Sequence, residues 1–304
     1  MRLTFKELKD QIAKIVPKDV PYTVELEAGN IAIITPVPAK FGGGDGVIGK
    51  IAKRVKRKIV LRPDESIMKS EEEATKLIRE IVPESAEISN IYFDSCYREI
   101  IIQCQNPGEA VGRRGANLND IRDQTGWLVK VERISPIVSK TVHDIRGYRQ
   151  VNAKERRKLL KDFGLNIHRP QRPGSAWARV TALGSYREVG RACHFVTTNE
   201  SRVMIDVGVN IASDTDPMPY FTAPEALPLE KLDAVVLTHA HLDHAGMLPV
   251  LFKYGYRGPV YCTPPTRDLM LLLQTDYLKV GGSEGKRAPY DMEDIRTCMK
   301  HVVD

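Results

Sequence analysis

The segment "VVLTHAHLDHAG", from Val235 to Gly246, narrows the choice of folds for this chain more than any other segment. It places three of the chain's seven histidines and an aspartate within six positions, directly after an apolar run. The run Val235–Leu237 predicts a buried strand. Thr238–Asp243 then form a loop at the carboxyl end of that strand, where α/β proteins usually carry their sites. The segment therefore predicts an α/β fold with a functional site at a strand end.

Four side chains of this segment are metal-ligand types with a spacing that lets them converge. In extended backbone, residues two apart point the same way, so His239 and His241 can meet at one point. Asp243 and His244 follow where a helix is expected to begin, and they can face a second point. Imidazole and carboxylate suit zinc, and two metals about 4 Å apart can stabilise both oxygens of a phosphoryl displacement. The pattern predicts a metal site rather than an ordinary polar loop.

The first 134 residues contain an internal repeat. "KIVP" at Lys14–Pro17 recurs as "EIVP" at Glu80–Pro83, and "GVIG" at Gly46–Gly49 recurs as "GRRG" at Gly112–Gly115, both with an offset of 66 residues. Two matches at one offset indicate a duplicated structural unit. Each unit predicts a helix that ends near a proline, two strands, a Gly-x-x-Gly turn that leads into another helix, and a last strand.

This order of elements resembles the KH domain in its helix-first form. In that family the Gly-x-x-Gly loop lets a nucleic-acid backbone come close to two helix N-termini, because glycine has no Cβ and free amide groups favour phosphate. The resemblance implies RNA-binding residues in both units, namely Gly46, Gly49, Lys50, Gly112, Arg113, Arg114 and Gly115. The second loop is the stronger prediction, because its two arginines stand where the first loop has Val47 and Ile48. Direct RNA contact by the first unit stays open.

Positive charge is concentrated in two segments. The formal net charge is +6; residues 46–62 carry seven basic and no acidic residues, and residues 140–172 carry ten basic and three acidic ones. Such clusters suit phosphate backbones, although each also fits a solvated helix face. For the basic linker over residues 137–175, whose middle is predicted to be helical, we give equal weight to a neck that touches RNA and to a solvated connecting helix.

Composition also bears on the cellular location. No apolar run approaches the ~20 residues that span a bilayer, and the N-terminus "MRLTFKELKD" is too charged for a secretory signal. The five cysteines form no CxxC pair, which favours reduced thiols. We therefore expect a cytoplasmic protein with no membrane partner.

From Trp177 onward, short strands are followed by strand–helix alternation, which predicts a layered α/β domain with a mixed sheet. The histidine-rich segment resembles the second motif of the metallo-β-lactamase superfamily, and Asp206 in "RVMIDVG" fits the first motif. A narrower set of segments resembles the β-CASP nucleases related to the cleavage and polyadenylation specificity factor: "ALGSYREVGRACHFVTT", "THAHLDHAGMLP" and "YGYRGPVYCTPPTRDL". With two KH-like units in front, the chain is similar to the archaeal members.

The resemblance implies an α/β and α+β multidomain protein, with two KH-like αββααβ units followed by the first part of a metallo-β-lactamase αββα fold. The expected domains are a first KH-like domain over residues 1–68, a second over 69–136, the basic linker over 137–175 and the metallo-β-lactamase domain over 176–304.

The resemblance also implies a zinc-dependent RNA phosphodiesterase of RNA 3′-end formation and transcription termination. Members are endonucleases, and some are also 5′-to-3′ exonucleases. A complete site would hold two Zn²⁺, one on His239 and His241 and the other on Asp243 and His244, with Asp206 and Asp243 as the catalytic residues and Asp206 orienting the site. The implied partners are single-stranded RNA, RNA polymerase, ribosome-associated factors and, in full-length members, a second copy in a homodimer.

The family's third-motif histidine, its fourth-motif aspartate and its β-CASP insert have no match before the final "HVVD", and His301 in "MKHVVD" lacks the third-motif context. We therefore expect this chain to hold only part of the catalytic domain and to be inactive by itself. Two alternatives stay open: an RNA-binding module with an inert nuclease domain, and another hydrolase of the superfamily such as a thioesterase or lactonase. The KH-like repeat argues against the second, because small-molecule hydrolases need no clamp for a nucleic-acid backbone.

Overall fold

The computed structural model describes residues 3–42, 46–134, 139–171, 174–213, 215–283 and 288–304. The chain forms two compact units. The N-terminal unit comprises Met1–Val138 with Gln150–Arg169, and the C-terminal unit comprises Ser139–Arg149 with Pro170–Asp304. Within the described ranges, no helix is both long enough and apolar enough to cross a membrane.

The first repeat of the N-terminal unit packs two helices on a three-stranded sheet. Its elements are helix α1 (Phe5–Ala13), strands β1 (Thr23–Glu27) and β2 (Asn30–Thr35), a 3-10 turn (Pro38–Phe41), helix α2 (Val47–Val55) and strand β3 (Ile59–Pro63). β2 lies between an antiparallel β1 and a parallel β3. The predicted αββααβ order is present, except that the 3-10 turn stands in place of the first helix of the central pair.

The second repeat has the complete αββααβ order. Its elements are helix α3 (Glu71–Ile81), strands β4 (Ile88–Asp94) and β5 (Glu99–Cys104), helix α4 (Pro107–Val111), a 3-10 turn (Arg113–Gly115), helix α5 (Ala116–Thr125) and strand β6 (Leu128–Arg133). The central strand β5 is antiparallel to β4 and parallel to β6, as in the first repeat.

The two repeats begin in the same way. In α1, the Thr4 side chain accepts a hydrogen bond from the Glu7 backbone, and the Glu7 side chain accepts one from the Thr4 backbone. In α3, Ser70 and Glu73 form the same capping box, 66 residues later. The helices also bury the same face at the same offset, through Leu8, Ile12, Ala74 and Ile78. The duplication predicted from the sequence is therefore a duplication of structure.

Helix α7 (Ala153–Ile167) completes the N-terminal unit and confirms the helix predicted in the linker. It packs closely on β1: a Cβ on Gly164 would lie 2.4 Å from that of Leu26, and the Leu160 carbonyl accepts from the Ala28 backbone at 2.8 Å. Helix α6 (Lys140–Val151) has no counterpart among the predicted elements. One of its two buried positions is Arg149, so its apolar periodicity is weak.

The C-terminal unit contains one six-stranded mixed sheet, as predicted. After α6, its elements are strands β7 (Ala178–Gly184), β8 (Cys193–Thr198), β9 (Arg202–Ile205) and β10 (Ala234–Val236), helices α8 (Leu242–Ala245) and α9 (Leu248–Lys253), strand β11 (Val260–Tyr261), helices α10 (Pro264–Ser283) and α11 (Met292–His301), and strand β12 (Val302–Val303). The strand order is β12-β11-β10-β9-β8-β7. β7, β8 and β9 are antiparallel, whereas β9 to β12 are parallel.

Two details around β10 differ from the prediction. The single helix expected over residues 244–255 is two short helices, α8 and α9, which are separated at Gly246 and Met247. The prediction of a wholly buried strand is wrong for Val236, which is 38% exposed, whereas Val235 is fully buried. Successive side chains of a strand point to opposite faces of the sheet, so burial of Val235 on one face turns Val236 to the other.

Candidate metal centre and nucleic-acid loop

The candidate metal centre lies where β9 and β10 end. These strands are parallel neighbours, with Ile205 opposite Val236, so the residues that follow them reach the same edge of the sheet. Asp206 follows β9 directly, and its backbone N–H donates to the Val236 carbonyl at 3.0 Å. Its φ of 60° lies in the left-handed region, which aspartate adopts more readily than most residues. This conformation directs Asp206 towards the loop after β10.

The Asp206 carboxylate organises that loop, and the residue is only 4% exposed. One oxygen accepts from the Thr238 backbone N–H at 2.8 Å. The other accepts from the Thr238 hydroxyl at 2.8 Å and lies 2.9 Å from Nδ1 of His244. Because this carboxylate engages Nδ1, the Nε2 atom of His244 is left to face the site. A carboxylate in this position fixes the orientation of a metal-binding imidazole.

The four predicted ligands lie together at the sheet edge. Nε2 of His239 is 3.2 Å from Nδ1 of His241, and Nε2 of His244 is 3.5 Å from Oδ2 of Asp243. The rings of His239 and His244 have centroids 4.0 Å apart, which joins the two pairs. Among the described residues, His239, Asp243 and His244 form a group in which one ligand atom from each lies within 4.8 Å of the others. His241 is not part of this group and, among these four side chains, is close only to His239.

Donor spacing tests whether zinc fits these residues. Zn²⁺ bonds of about 2.0–2.1 Å in a tetrahedral arrangement separate neighbouring donor atoms by about 3.3 Å. The His239–His241 distance of 3.2 Å and the His244–Asp243 distance of 3.5 Å are both close to that separation. The nitrogen and carboxylate donors are also of the type that zinc prefers. The residues therefore fit a metal of this kind, and the assignment of each pair to one ion stays a prediction.

The backbone beside the ligands is packed too closely for a side chain at Gly208. A Cβ there would lie 1.7 Å from the Asp243 carbonyl oxygen. That same oxygen accepts from the Ala192 backbone at 2.8 Å, and the His244 carbonyl accepts from the Val207 backbone at 2.7 Å. Gly208 is thus required for the segment after β9 to support the ligand segment. This role is not evident from the sequence, in which the only signal for it is a glycine two residues after Asp206.

Thr238 is a second site residue whose role the sequence pattern does not reveal. Besides its two bonds to Asp206, its hydroxyl lies 3.0 Å from Nδ1 of His239. It therefore links the buried carboxylate to the first ligand. Its position directly before the first histidine was the only signal in the sequence.

His301 lies away from this centre. Its ring Nδ1 is 3.1 Å from the carbonyl oxygen of Gly258, which precedes β11 at the opposite edge of the sheet, and its ring packs on Phe252 with centroids 5.1 Å apart. Burial lowers the pKa of His301 to about 4. His301 is therefore a buried, neutral core residue, which agrees with its lack of a motif context in the sequence.

The Gly-x-x-Gly loop of the second repeat connects α4 to α5. Gly112, Arg114 and Gly115 have positive φ values of 73°, 54° and 79°. A Cβ on Gly112 would lie 2.7 Å from Cγ of Asn117, whose side-chain amide donates to the Glu109 carbonyl at 3.0 Å. Both positions therefore favour glycine through their positive φ; Gly112 is also confined by Asn117, whereas Gly115 has open space around it.

The arginines of this loop are presented to solvent. Arg113 and Arg114 are both exposed, between two helices of the second repeat. Guanidinium groups at such a place can pair with phosphate, since each offers a planar fork of donors. The second loop thus has the geometry that the sequence predicted.

The prediction of a turn at "GVIG" is wrong for the first repeat. Gly46 is the N-terminal cap of α2, with a φ of −66°, and Gly49 lies within the helix. Val47 and Ile48 pack against the apolar core of this repeat, so they continue the helix rather than form an open loop. Lys50 is exposed one residue after Gly49. The residues of the first loop therefore do not reproduce the backbone of the second.

Comparison with known protein families identifies one domain in the N-terminal unit and one in the C-terminal unit. Residues 2–68 match the family described as "Transcription termination factor FttA, KH domain", and residues 186–274 match the metallo-beta-lactamase superfamily. The chain combines a KH domain with a metallo-β-lactamase domain. This confirms the predicted resemblance and fold class. A metallo-β-lactamase domain implies a metal cofactor, which agrees with the donor set at the sheet edge.

Curated relatives match nearly the whole chain. It is 46% identical to transcription termination factor FttA of Methanosarcina mazei over 298 residues, which are 98% of this chain and 47% of that protein. Identity to the proteins of the same name from Methanothermobacter thermautotrophicus and Methanocaldococcus jannaschii is 42% and 43%, each over 98% of this chain and 47% of the relative. The chain thus spans about half the length of the curated relatives it matches. The solved Rm3 metallo-beta-lactamase aligns with 29% of this chain and 30% of its own chain at 23% identity, with a TM-score of 0.22.

Proposed function

We propose that this chain supplies RNA binding and part of a metal centre to a protein of transcription termination and RNA 3′-end formation that acts through zinc-dependent cleavage of single-stranded RNA. The observation that carries the proposal is the convergence of His239, His241, Asp243 and His244 beside the buried Asp206 carboxylate, in a chain that also contains a KH domain. A metal-binding donor set beside a nucleic-acid-binding domain favours a hydrolase of nucleic acid over one of small molecules.

Zinc would be held by His239 and His241 at one position and by Asp243 and His244 at the other. Bound zinc supplies a Lewis acid that polarises a phosphoryl group. Asp206 keeps the His244 ring turned so that Nε2 faces the site, and Thr238 connects that carboxylate to His239. Backbone hydrogen bonds from Ala192 and Val207 hold the segment that carries Asp243 and His244, so the ligand atoms are preorganised.

RNA would be held by the second repeat. Gly112, Arg113, Arg114 and Gly115 form an open loop with two exposed cations between helices, which suits a phosphate backbone. In the first repeat, Gly46, Gly49 and Lys50 would contribute mainly through the charge of Lys50 and the basic residues after it, because residues 46–49 form a helix start rather than an open loop.

The expected division into residues 1–68, 69–136, 137–175 and 176–304 belongs to this proposal. The name of the curated relatives, transcription termination factor, favours RNA polymerase as a partner. Single-stranded RNA, ribosome-associated factors and a second copy in a homodimer are the other proposed partners, and the proposed location is the cytoplasm. Endonuclease activity is the primary proposal, with 5′-to-3′ exonuclease activity as a second capacity of the same centre.

Zinc affinity tests the metal part of this proposal independently of cleavage. In a competition titration with a chromophoric chelator, Asp243→Asn and His244→Gln should each weaken zinc binding by ~10-fold or more, because each removes a donor from the centre. His143→Gln, in α6 of the same unit, is the matched control and should bind zinc like the parent. Equal zinc affinity in all four proteins, with unchanged thermal unfolding, would show that His239–His244 do not form the metal centre.

A further inference from the structure

The loop that joins β7 to β8 presents an aromatic ring and a cation to solvent. Tyr186 is 75% exposed and Val189 is 88% exposed, and Arg187 between them is also exposed. Next to this loop, the segment after β9 adds Ile211 and Tyr220, each 65% exposed. Single exposed apolar side chains are common, whereas several of them on two loops that contact each other favour a binding surface.

The backbone of this loop is fixed rather than free. Arg191 donates to Glu188 at 2.6 Å and to the Met218 carbonyl at 3.3 Å, and it also pairs with Asp216. A Cβ on Gly190 would lie 2.9 Å from Cα of Asn210, so the two loops are in close contact. Glu188 and Asp216 are therefore both engaged by Arg191, and the exposed side chains stand on a rigid base.

The same loop adjoins the metal centre. It ends at Ala192, whose backbone N–H donates to the Asp243 carbonyl at 2.8 Å and whose carbonyl accepts from Gly208 at 2.9 Å. Asp243 is one of the proposed ligands, and Gly208 follows Asp206 by two residues. The exposed tip thus stands only a few residues from the segment that carries the donors.

We propose that Tyr186 and Arg187 bind one nucleotide of the RNA strand that reaches the metal centre. The Tyr186 ring stacks on a base, and the Arg187 guanidinium pairs with the adjoining phosphate. An exposed aromatic side chain next to a cation is the combination that binds single strands without regard to sequence. The nearby Glu188 and Asp216 are both paired with Arg191. This inference rests on the proposed function, since it takes RNA as the substrate.

Photo-cross-linking tests the inference directly on the zinc-loaded chain. A single-stranded RNA that carries 5-iodouridine is irradiated with the protein, and the attached peptides are mapped by mass spectrometry. We expect cross-links at Tyr186 in addition to those at the loop of the second repeat. Tyr186→Phe should retain them, because the ring remains. Tyr186→Ala and Arg187→Ala should lower the yield in the peptide that contains residues 185–192 by at least about 5-fold, the lower bound for loss of one stacked base.

Tyr254→Ala is the matched control. Tyr254 is 63% exposed and follows α9, before β11 begins, so it lies at the opposite edge of the sheet. This variant should cross-link like the parent. Cross-links confined to the loop of the second repeat would overturn the inference, as would an unchanged yield in Tyr186→Ala.

The two proposals fail in different ways. If the whole polypeptide encoded by the gene binds zinc but does not cleave RNA, and the Tyr186 cross-link persists, the hydrolase proposal falls and the nucleotide site stands. If cleavage depends on Asp243 while Tyr186 gives no cross-link, the nucleotide site falls and the hydrolase proposal stands.

Discussion

Asp206 shows how one residue can organise a metal centre without being among its proposed ligands. It adopts a positive φ of 60°, is almost fully buried, and divides its two oxygens among Thr238 and His244. A backbone strained in this way persists only where the surroundings determine it, and such positions often belong to functional sites. The predicted role of Asp206 in orienting the site therefore has a physical basis in these contacts.

Replacement of this carboxylate should weaken the metal centre while the fold remains. In Asp206→Asn, the amide oxygen can still accept a hydrogen bond from Thr238. The amide N–H groups replace the carboxylate oxygen that faces Nδ1 of His244, so the His244 ring loses its orientation. We expect zinc affinity to fall by about 10-fold or more, the usual effect of losing such a partner. The measurement is a competition titration, with thermal unfolding as a check.

Asp233→Asn is the matched control for this change. The Asp233 carboxylate accepts from the Arg202 backbone at 2.8 Å, but it lies before β10, at the edge of the sheet away from the donors. Its zinc affinity should equal that of the parent. An equal loss in both variants would mean that the Asp206 effect is a general effect on the sheet.

His301 predicts a pH dependence of stability in the C-terminal unit. Burial lowers its pKa from 6.5 to about 4, so between those values the unfolded chain binds more protons than the folded chain. Stability should therefore be fully present above about pH 6.5 and decrease as the pH falls towards 4. His301→Gln keeps a donor for the Gly258 carbonyl but cannot titrate. Thermal unfolding across this range should show a steeper loss for the parent, and parallel curves would contradict the assignment.

At the scale of elements, the same glycine pattern gives two different structures. "GRRG" forms a loop with positive φ values, whereas "GVIG" forms the first turn of α2. The residues between the glycines explain the difference. Val47 and Ile48 have an apolar core to pack against, while Arg113 and Arg114 gain more from solvent. A glycine pattern alone therefore does not determine whether a repeat carries a phosphate-binding loop.

The second loop should account for most specific RNA affinity in the N-terminal unit. Changing Arg113 and Arg114 together to Asp should weaken binding of single-stranded RNA by ~10-fold or more, because attraction to the backbone is replaced by repulsion. The affinity of the parent should also fall more steeply with salt than that of the variant. The measurement is a titration of fluorescent RNA at two salt concentrations.

Lys76→Glu with Arg79→Glu provides the same change in charge on α3 of the same repeat, where both side chains are exposed. This control should bind RNA within a few-fold of the parent. If both double variants lose affinity equally, the loop has no special contact and general charge explains the binding.

The accuracy of the sequence predictions follows from where each element obtains its stability. The helices and strands of the repeats have regular apolar spacing, which made them predictable, and the structure adds a matching capping box at Thr4 and Ser70. Helix α6 could not be predicted from apolar spacing, because one of its two buried positions is Arg149. Helices α8 and α9 were predicted as one helix, because the break at Gly246 depends on tertiary packing. The convergence of the candidate ligands could be predicted because their side chains are concentrated in six residues. The roles of Thr238 and Gly208 could not be predicted, because they arise from contacts across strands.

At the scale of the whole molecule, buried charges join the two repeats of the N-terminal unit. Arg62 of β3 donates to both oxygens of Glu27, at 2.9 and 2.7 Å, and to Glu99 of β5 in the second repeat. Arg156 of α7 is 2% exposed and donates to Asp94 of β4 at 3.4 Å. Such pairs add little net stability, but removal of one partner leaves a buried charge. The repeats and α7 are therefore linked as one body, so the loop of the second repeat has a fixed support.

Cleavage of RNA by the whole polypeptide that the gene encodes is the most direct test of the proposed function. The measurement is the single-turnover rate of cleavage of an end-labelled single-stranded RNA by zinc-loaded parent and Asp243→Ala proteins, with RNA affinity measured in parallel. We predict that the parent cleaves the RNA and that Asp243→Ala loses ~100-fold or more of the rate with RNA affinity nearly unchanged, because the metal centre performs the chemistry while the KH-type loop holds the strand. No cleavage by a zinc-loaded parent, or equal rates in the two proteins, would contradict the assignment of RNA hydrolysis to this centre.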